Sequence, residues 1–346
     1  MAFSPARLLL LLIAIVLTGP ALASPQRVDI GVVYWSMAIP GQVAMRRGLE
    51  REAQRLGRED PHRAIHLHPA VGGSGPDAIQ NQRQAMYRFV GKAMDAIILQ
   101  PIDSAALSQP VQVANQAGIP VFAYDQYVLE GTLDCYISSN NHLAGYLDGE
   151  YLAHRFRDRK EPLRLVIVEF PFASSTVERV EGLRDALHDA KRSYTIVGRY
   201  QAVEPESGRQ AGREILAKHP RGTIDAIFCV NDGGGHAVME ALKAAGRDDV
   251  VMATVDGDPR MVAEIRRGGI VGIDTAQFMG PLGAEAMRMA YQKLQGQKVP
   301  RQVLITVFPI TRENLDAYPG WDGPIPSTIR KPWAPAETVP GNQLTW

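Results

Sequence analysis

At 346 residues the chain is longer than one hydrophobic core usually organises, so two domains are expected. With 45% apolar and 21% charged residues it reads as an ordinary soluble globular protein. Its 37 basic and 37 acidic side chains balance, and no basic stripe stands out, which excludes the charge signature of a nucleic-acid binder.

The first predicted element is a leader. Arg7 precedes the apolar run LLLLLIAIVL, and ALAS offers small residues for cleavage after Ala23. The run is too short to span a bilayer comfortably, so an exported and cleaved protein is expected rather than a membrane anchor. No cysteine follows the cleavage point, so no lipid anchor is expected and the mature chain is assigned to a periplasm.

Strand-like and helical runs then alternate. VDIGVVYW reads as a strand, and residues 42–56 as a helix with Met45, Leu49, Ala53 and Leu56 on one face. IHLHPA, DAIILQP, PVFAYD and CYISS follow as strands, the last leading into a helix through Tyr151. The pattern restarts with LRLVIVEF, YTIVGRY, DAIFCVN, VVMATVDG and VGIDTAQ. Near-continuous apolar strands alternating with helices imply α/β architecture, with parallel sheets covered on both faces. The two halves echo each other, MDAIILQP against IDAIFCVN and IPVFAYD against VVMATVDG, which suggests two similar doubly wound lobes. Such sheets bind ligands beyond the carboxyl ends of their strands. That singles out the polar residues closing them: Asp103, Asp125, Asn231, Asp256 and Gln277. After Pro309 the alternation stops. The segment holds Trp321, Trp333 and Trp346, which points to an extension at 319–346 packed on the surface rather than a disordered tail.

Other chemistry is weakly signalled. The glycines of IFCVNDGGGHAVMEAL are not a phosphate-loop fingerprint. GGSGP has Pro where a nucleophile elbow needs Gly. His62, His66 and His68 bring no further ligand set for a metal. Cys135 and Cys229 lie far apart in strand-like runs, so two buried free thiols are expected over a disulfide. No paired base and nucleophile emerge, and no enzyme, cofactor or metal is expected.

DAIILQPIDSAALSQPVQVANQAGIPVFAYDQ, VNDGGGHAVMEALKAAG and TVDGDPRMVAEIRRGGIVGIDTAQ occur in an order that resembles a known family. The chain is similar to the periplasmic sugar-binding proteins of ATP-driven (ABC) importers, the ribose-binding type. These share their two-lobed, type I periplasmic binding protein fold with the sensor domains of lactose-repressor-like regulators. The resemblance implies lobes at 27–126 plus 278–308 and at 127–277 plus 309–318, joined by a three-segment hinge. It implies ligand contacts from Asp103 in the first lobe and from Arg179, Asn231, Asp256 and Gln277 in the second lobe and hinge. Asp125 and Gln126 fall where the family has Asp-Arg, so one guanidinium is missing. The first strand ends in YWSMAIPGQ, where Gly41 and Gln42 replace the family's stacking aromatics. Tyr34 or Trp35 is then left to supply an aromatic face, and alternation lets only one of these neighbours face the cleft. Asp103 and Asp232 have a second reading as helix caps, and Asp256 as a turn former.

The implied function is capture of a small polar ligand, a sugar or polyol, by a monomer that delivers it to an ABC-type permease. A periplasmic sensor partnering a membrane receptor kinase is the alternative. A transcription regulator would need an N-terminal DNA-binding helix pair where this chain has its leader.

Overall fold

The computed structural model describes residues 24–346, so the expected leader lies outside the described residues. The chain enters on β1 (Gln26–Tyr34), whose buried Val28, Ile30, Val32 and Val33 make it a two-faced core strand. Then come α1 (Pro40–Glu59), β2 (Arg63–Val71), α2 (Ala78–Gly91), β3 (Ala96–Leu99), α3 (Ser108–Gln116), β4 (Val121–Tyr124) and β5 (Cys135–Ser139). Helix α1 buries Met45, Leu49, Ala53 and Leu56, the expected face. The second half runs α4 (Asn141–Arg155), β6 (Leu163–Glu169), α5 (Ser174–Asp189), β7 (Tyr194–Gln201), α6 (Pro205–Lys218) and β8 (Ala226–Cys229). It continues through α7 (Asp232–Ala244), β9 (Val251–Asp256), α8 (Pro259–Arg267) and β10 (Val271–Ala276). The chain then returns with α9 (Met279–Leu294) and β11 (Gln302–Ile305), and crosses again to β12 (Phe308–Ile310).

Two sheets result. The first has the order β2-β1-β3-β4-β5-β11 and the second β7-β6-β8-β9-β10-β12. All these pairings are parallel except β12 on β10. Both sheets share the winding 2-1-3-4-5, so each has a switch point beside its first strand where chain direction reverses. This is the expected α/β fold of two similar doubly wound lobes. One boundary differs. The first crossing was expected at Gln126–Tyr127, but Cys135–Ser139 pairs with β4 and β11 in the first sheet, and the chain crosses only after it. Its five residues are all buried, so a strand there needs neighbours on both edges, which the first sheet supplies. The two cysteines are free and buried, one in each lobe, and burial pushes the Cys135 thiol up to about 12.

The C-terminal segment joins the lobes a further time. Tyr318 packs between Phe278 and Phe308 and donates to the Gln277 carbonyl (3.3 Å). Trp321 Nε1 donates to the Asp256 carbonyl (2.7 Å), while the Trp321 carbonyl accepts from Gly280 N (2.9 Å) at the start of α9. Asp322 pairs with Arg51 of α1. A hairpin, β13 (Arg330–Lys331) with β14 (Ala334–Thr338), returns to the second lobe. There Lys331 meets Glu150 (3.0 Å) and Trp333 packs edge-on against Tyr151 of α4. Finally β15 (Gln343–Thr345) pairs antiparallel with β11 at the edge of the first sheet. Trp321 and Trp333 are part-buried against the core, whereas Trp346 is exposed.

Candidate functional site

The carboxyl ends of the two sheets face each other across a narrow cavity. From the first lobe it is lined by Trp35, Gln42, Met45, Asp125 and Gln126. The second lobe and hinge supply Ser175, Thr176, Arg179, Asn231, Asp256 and Gln277, and Met279 at the start of α9 adds to the first-lobe side. The lobes also touch at the rim, where Ser74 Oγ donates to Glu204 (2.8 Å) and Ser104 N to the Phe172 carbonyl (3.2 Å).

Strand β4 is followed at once by Asp125, whose φ of +67° is unusual for a residue with a side chain. Its N–H donates to Ile137 O (2.8 Å), and its carbonyl accepts from Tyr136 OH and Ser138 Oγ, so the neighbouring strand holds the turn. The carboxylate is buried and accepts at Oδ2 from the carboxamides of Gln100 and Gln126, both at 2.9 Å. Burial raises its pKa, opposed first by the charge of Arg179. Strand β9 ends in a second strained aspartate, Asp256, with φ of +138°. Its Oδ1 accepts from Gln277 Nε2 (2.6 Å) and Arg179 Nη1 (3.2 Å). Burial lifts this carboxyl to about 6, again against the pull of Arg179. Two strained backbone positions facing one cavity are the kind of cost that persists where the position of a side chain matters.

Arg179 reaches the cavity from α5 because α4 and α5 approach very closely. Gly145 lies against the Arg179 carbonyl and Gly182 against the His142 carbonyl, with no room for a Cβ at either. The guanidinium is buried and also donates to Asn141 Oδ1 (2.9 Å) and the Val230 carbonyl (2.7 Å). Gln126 Nε2 bridges to the other lobe through Ser175 Oγ (3.1 Å).

Seven of the residues expected at the site line this one cavity: Trp35, Asp125, Gln126, Arg179, Asn231, Asp256 and Gln277. Two do not. Tyr34 is wholly buried in the first-lobe core, with the Arg46 guanidinium 4.8 Å from its ring centre, because alternation turns it away as it turns Trp35 inward. Trp35 packs against Phe170 of the facing lobe, ring centres 5.8 Å apart. Asp103 lies four residues beyond β3, outside the cavity. It accepts from the N–H groups of Ala105 and Ala106 (2.8 and 2.7 Å), so it organises a turn.

The cap of α7 is also reassigned. Asn231, not Asp232, is the N-cap: its Oδ1 accepts from Gly234 N (3.2 Å) and its Nδ2 donates to Val203 O (3.0 Å). Asp232 instead accepts from Thr254 Oγ1 (2.6 Å) and Asp258 N (2.8 Å). Sequence reasoning missed Ser175, Thr176, Met45 and Met279, which come from helix starts and interiors rather than strand ends. Gln42 was read only as a missing aromatic. It lines the cavity with its oxygen taken by Ser36 N (3.0 Å), leaving its NH2 to face a ligand. Among the described residues no group of three His, Cys, Asp or Glu side chains is placed to hold a metal ion.

Comparison with known proteins fits this arrangement. The profile of a family described as "Periplasmic binding protein domain" matches residues 30–298. The ribose import binding protein of Salmonella typhimurium is 26% identical over 295 residues, covering 85% of this chain and 94% of that one. Among solved structures, a Caulobacter myo-inositol binding protein bound to myo-inositol superposes with a TM-score of 0.71 at 24% identity, covering 84% of this chain and 95% of that one. An ABC transporter periplasmic solute binding protein from Actinobacillus succinogenes with bound D-allose gives 0.72 at 22% identity, covering 84% of this chain and all of the other.

Proposed function

We propose that this chain, which belongs to the periplasmic binding protein domain family, captures a small polyhydroxylated ligand between its lobes and delivers it to an ABC-type permease. The observation that carries this reading is the cavity wall. Carboxylates, carboxamides and a guanidinium from both lobes surround one aromatic face, Trp35. Planar polar groups that accept or donate in pairs suit vicinal hydroxyls, and an indole suits the apolar face of a ring or carbon chain. Relatives and structural neighbours named for ribose, D-allose and myo-inositol support a sugar or polyol.

In this reading the lobes are residues 27–139 with 278–305, and residues 141–277 with 308–318. They pivot on the three chain crossings, β5 to α4, β10 to α9 and β11 to β12, and ligand held by both lobes favours the closed arrangement. The chain works as a monomer in the periplasm after loss of its leader. Import rather than sensing is favoured because the relatives are import proteins. Thermal-shift and calorimetric titration with D-ribose, D-allose, myo-inositol and xylitol test the proposal, with Asp256→Ala as control. Saturable binding of at least one compound, weakened roughly ten- to a hundredfold by the substitution, is expected. Binding that is indifferent to Asp256, in a folded variant, refutes the site.

A further inference from the structure

Three charged side chains line the cavity: Asp125, Asp256 and Arg179. Arg179 is committed to the second lobe, paired with Asp256 at 3.2 Å and bonded to Asn141 and Val230. Asp125, on the first lobe, accepts only from neutral carboxamides, those of Gln100 and Gln126. The groups packed behind Asp256 are further acids, Asp232 and Asp274, and Arg260 beyond them is already paired with Asp258 (2.6 Å). The lining therefore carries one carboxylate more than it carries cations.

The carboxamides tilt the balance in the same direction. A carboxylate can only accept, so the NH2 of Gln126 has to face Asp125 and the NH2 of Gln277 has to face Asp256. Their oxygens are consequently turned away, and both Oε1 atoms are buried without a hydrogen-bond partner. Gln126 and Gln277 are 3% and 1% exposed, so these are costly orphans unless something donates to them. The wall beside Asp125 and Asp256 is thus rich in acceptors and short of positive charge, with the Gln42 NH2 a neutral donor in the same cavity. A neutral hydroxyl brings a donor and an acceptor together. An ammonium brings three donors, no acceptor and the missing charge.

Resting on the reading of this cavity as a polyol site, we infer that its ligand is an amino-substituted polyol or sugar, whose protonated amine is received by Asp125 and Gln126. Burying an unpaired carboxylate is expensive, and the ligand's own charge removes that cost on binding. The raised pKa of Asp125 agrees: burial outweighs the pull of Arg179 and the hydrogen bonds from Gln100 and Gln126 that favour its ionised form.

The test is calorimetric titration of matched pairs at pH 7: D-glucosamine with D-glucose, 1-amino-1-deoxy-D-ribitol with ribitol, and an amino-deoxy-inositol with myo-inositol. In at least one pair the amine should bind tenfold or more tighter. Gln126→Arg, which places a fixed cation beside Asp125, should abolish or reverse that preference, and Asp125→Asn should reduce it at least tenfold. A neutral partner that binds as tightly as its amine in every pair that binds overturns the inference while leaving the polyol reading intact. Failure of every amine and every neutral compound to bind folded wild-type protein overturns both. The wild-type comparison decides by itself if a variant does not fold.

Discussion

The close approach of α4 and α5 offers a perturbation whose effects on stability and on binding should separate. Replacing Gly145 by Ala adds a Cβ well inside van der Waals contact of the Arg179 carbonyl, carbonyl carbon and Cα. All three are backbone atoms, so no rotamer change relieves the clash. Ordinary carbon contacts lie near 3.5–4.0 Å, so the helices have to part by about 1 Å or more. Overpacking of this kind costs about 1–3 kcal/mol, while Ala in place of Gly inside a helix returns about 1 kcal/mol. The net loss of stability is therefore about 0–2 kcal/mol.

Binding has no such offset. Arg179 is held by three bonds, at 2.7, 2.9 and 3.2 Å, and a shift of its helix breaks or lengthens them together. Losing one charge-assisted hydrogen bond at about 1.5–3 kcal/mol lowers affinity by roughly ten- to a hundredfold. Urea unfolding and calorimetric titration with the tightest-binding compound of the panel measure the two effects. Gly57→Ala is the control: no atom lies within 4 Å of a Cβ there, so it should gain a fraction of a kcal/mol and leave affinity unchanged. Wild-type affinity in Gly145→Ala would refute the view that this helix contact positions Arg179.

The Asp256 carboxyl keeps its proton to about 6 in the folded protein, whereas an unfolded aspartate releases it near 4. The folded state therefore binds more protons in that window, and stability should fall as pH rises from about 4 to about 6, by roughly 3 kcal/mol from this group. Asp256→Asn should flatten that fall in urea midpoints taken across pH, and an unchanged slope would count against it. Asp103→Ala should leave ligand affinity at the wild-type value while costing about 1 kcal/mol through its lost turn bonds; a tenfold drop in affinity would return Asp103 to the site. Deleting residues 319–346 should lower the melting temperature by several degrees and expose the β11 edge, seen as concentration-dependent association by light scattering. A truncated protein that stays monodisperse with an unchanged melting temperature would show the segment to be dispensable.

Much of the fold was legible because core strands are short apolar runs closed by polar residues, as in AIIL before Gln100 and AIFCV before Asn231. The switch-point rule then singles out Asp125, Asn231, Asp256 and Gln277, all of which line the cavity. It failed at Asp103 because β3 closes at Leu99, and the residue at its true end, Gln100, acts one step back by holding Asp125. It overlooked Ser175 and Thr176 because a helix start facing a cleft looks like any other helix start. Asp125–Gln126 reads as the end of a lobe, yet β5 still follows in the same sheet. Nothing local to CYISS says which of two equally apolar sheets it will join; its partners β4 and β11 are set by the tertiary arrangement.

Asp256 has two faces. Its carboxylate lines the cavity, and its carbonyl receives the indole N–H of Trp321 from the C-terminal segment. That segment is fastened alternately to one lobe and the other, by Asp322 on α1, Lys331 and Trp333 on α4, and β15 on β11. Swinging the lobes apart would have to stretch or release some of these fastenings, so the segment should act as a tether that penalises an open form. Each 1.4 kcal/mol of such penalty makes the open form ten times scarcer. Such a tether would lengthen the residence of whatever is held between the lobes, although no tryptophan of the segment lines the cavity.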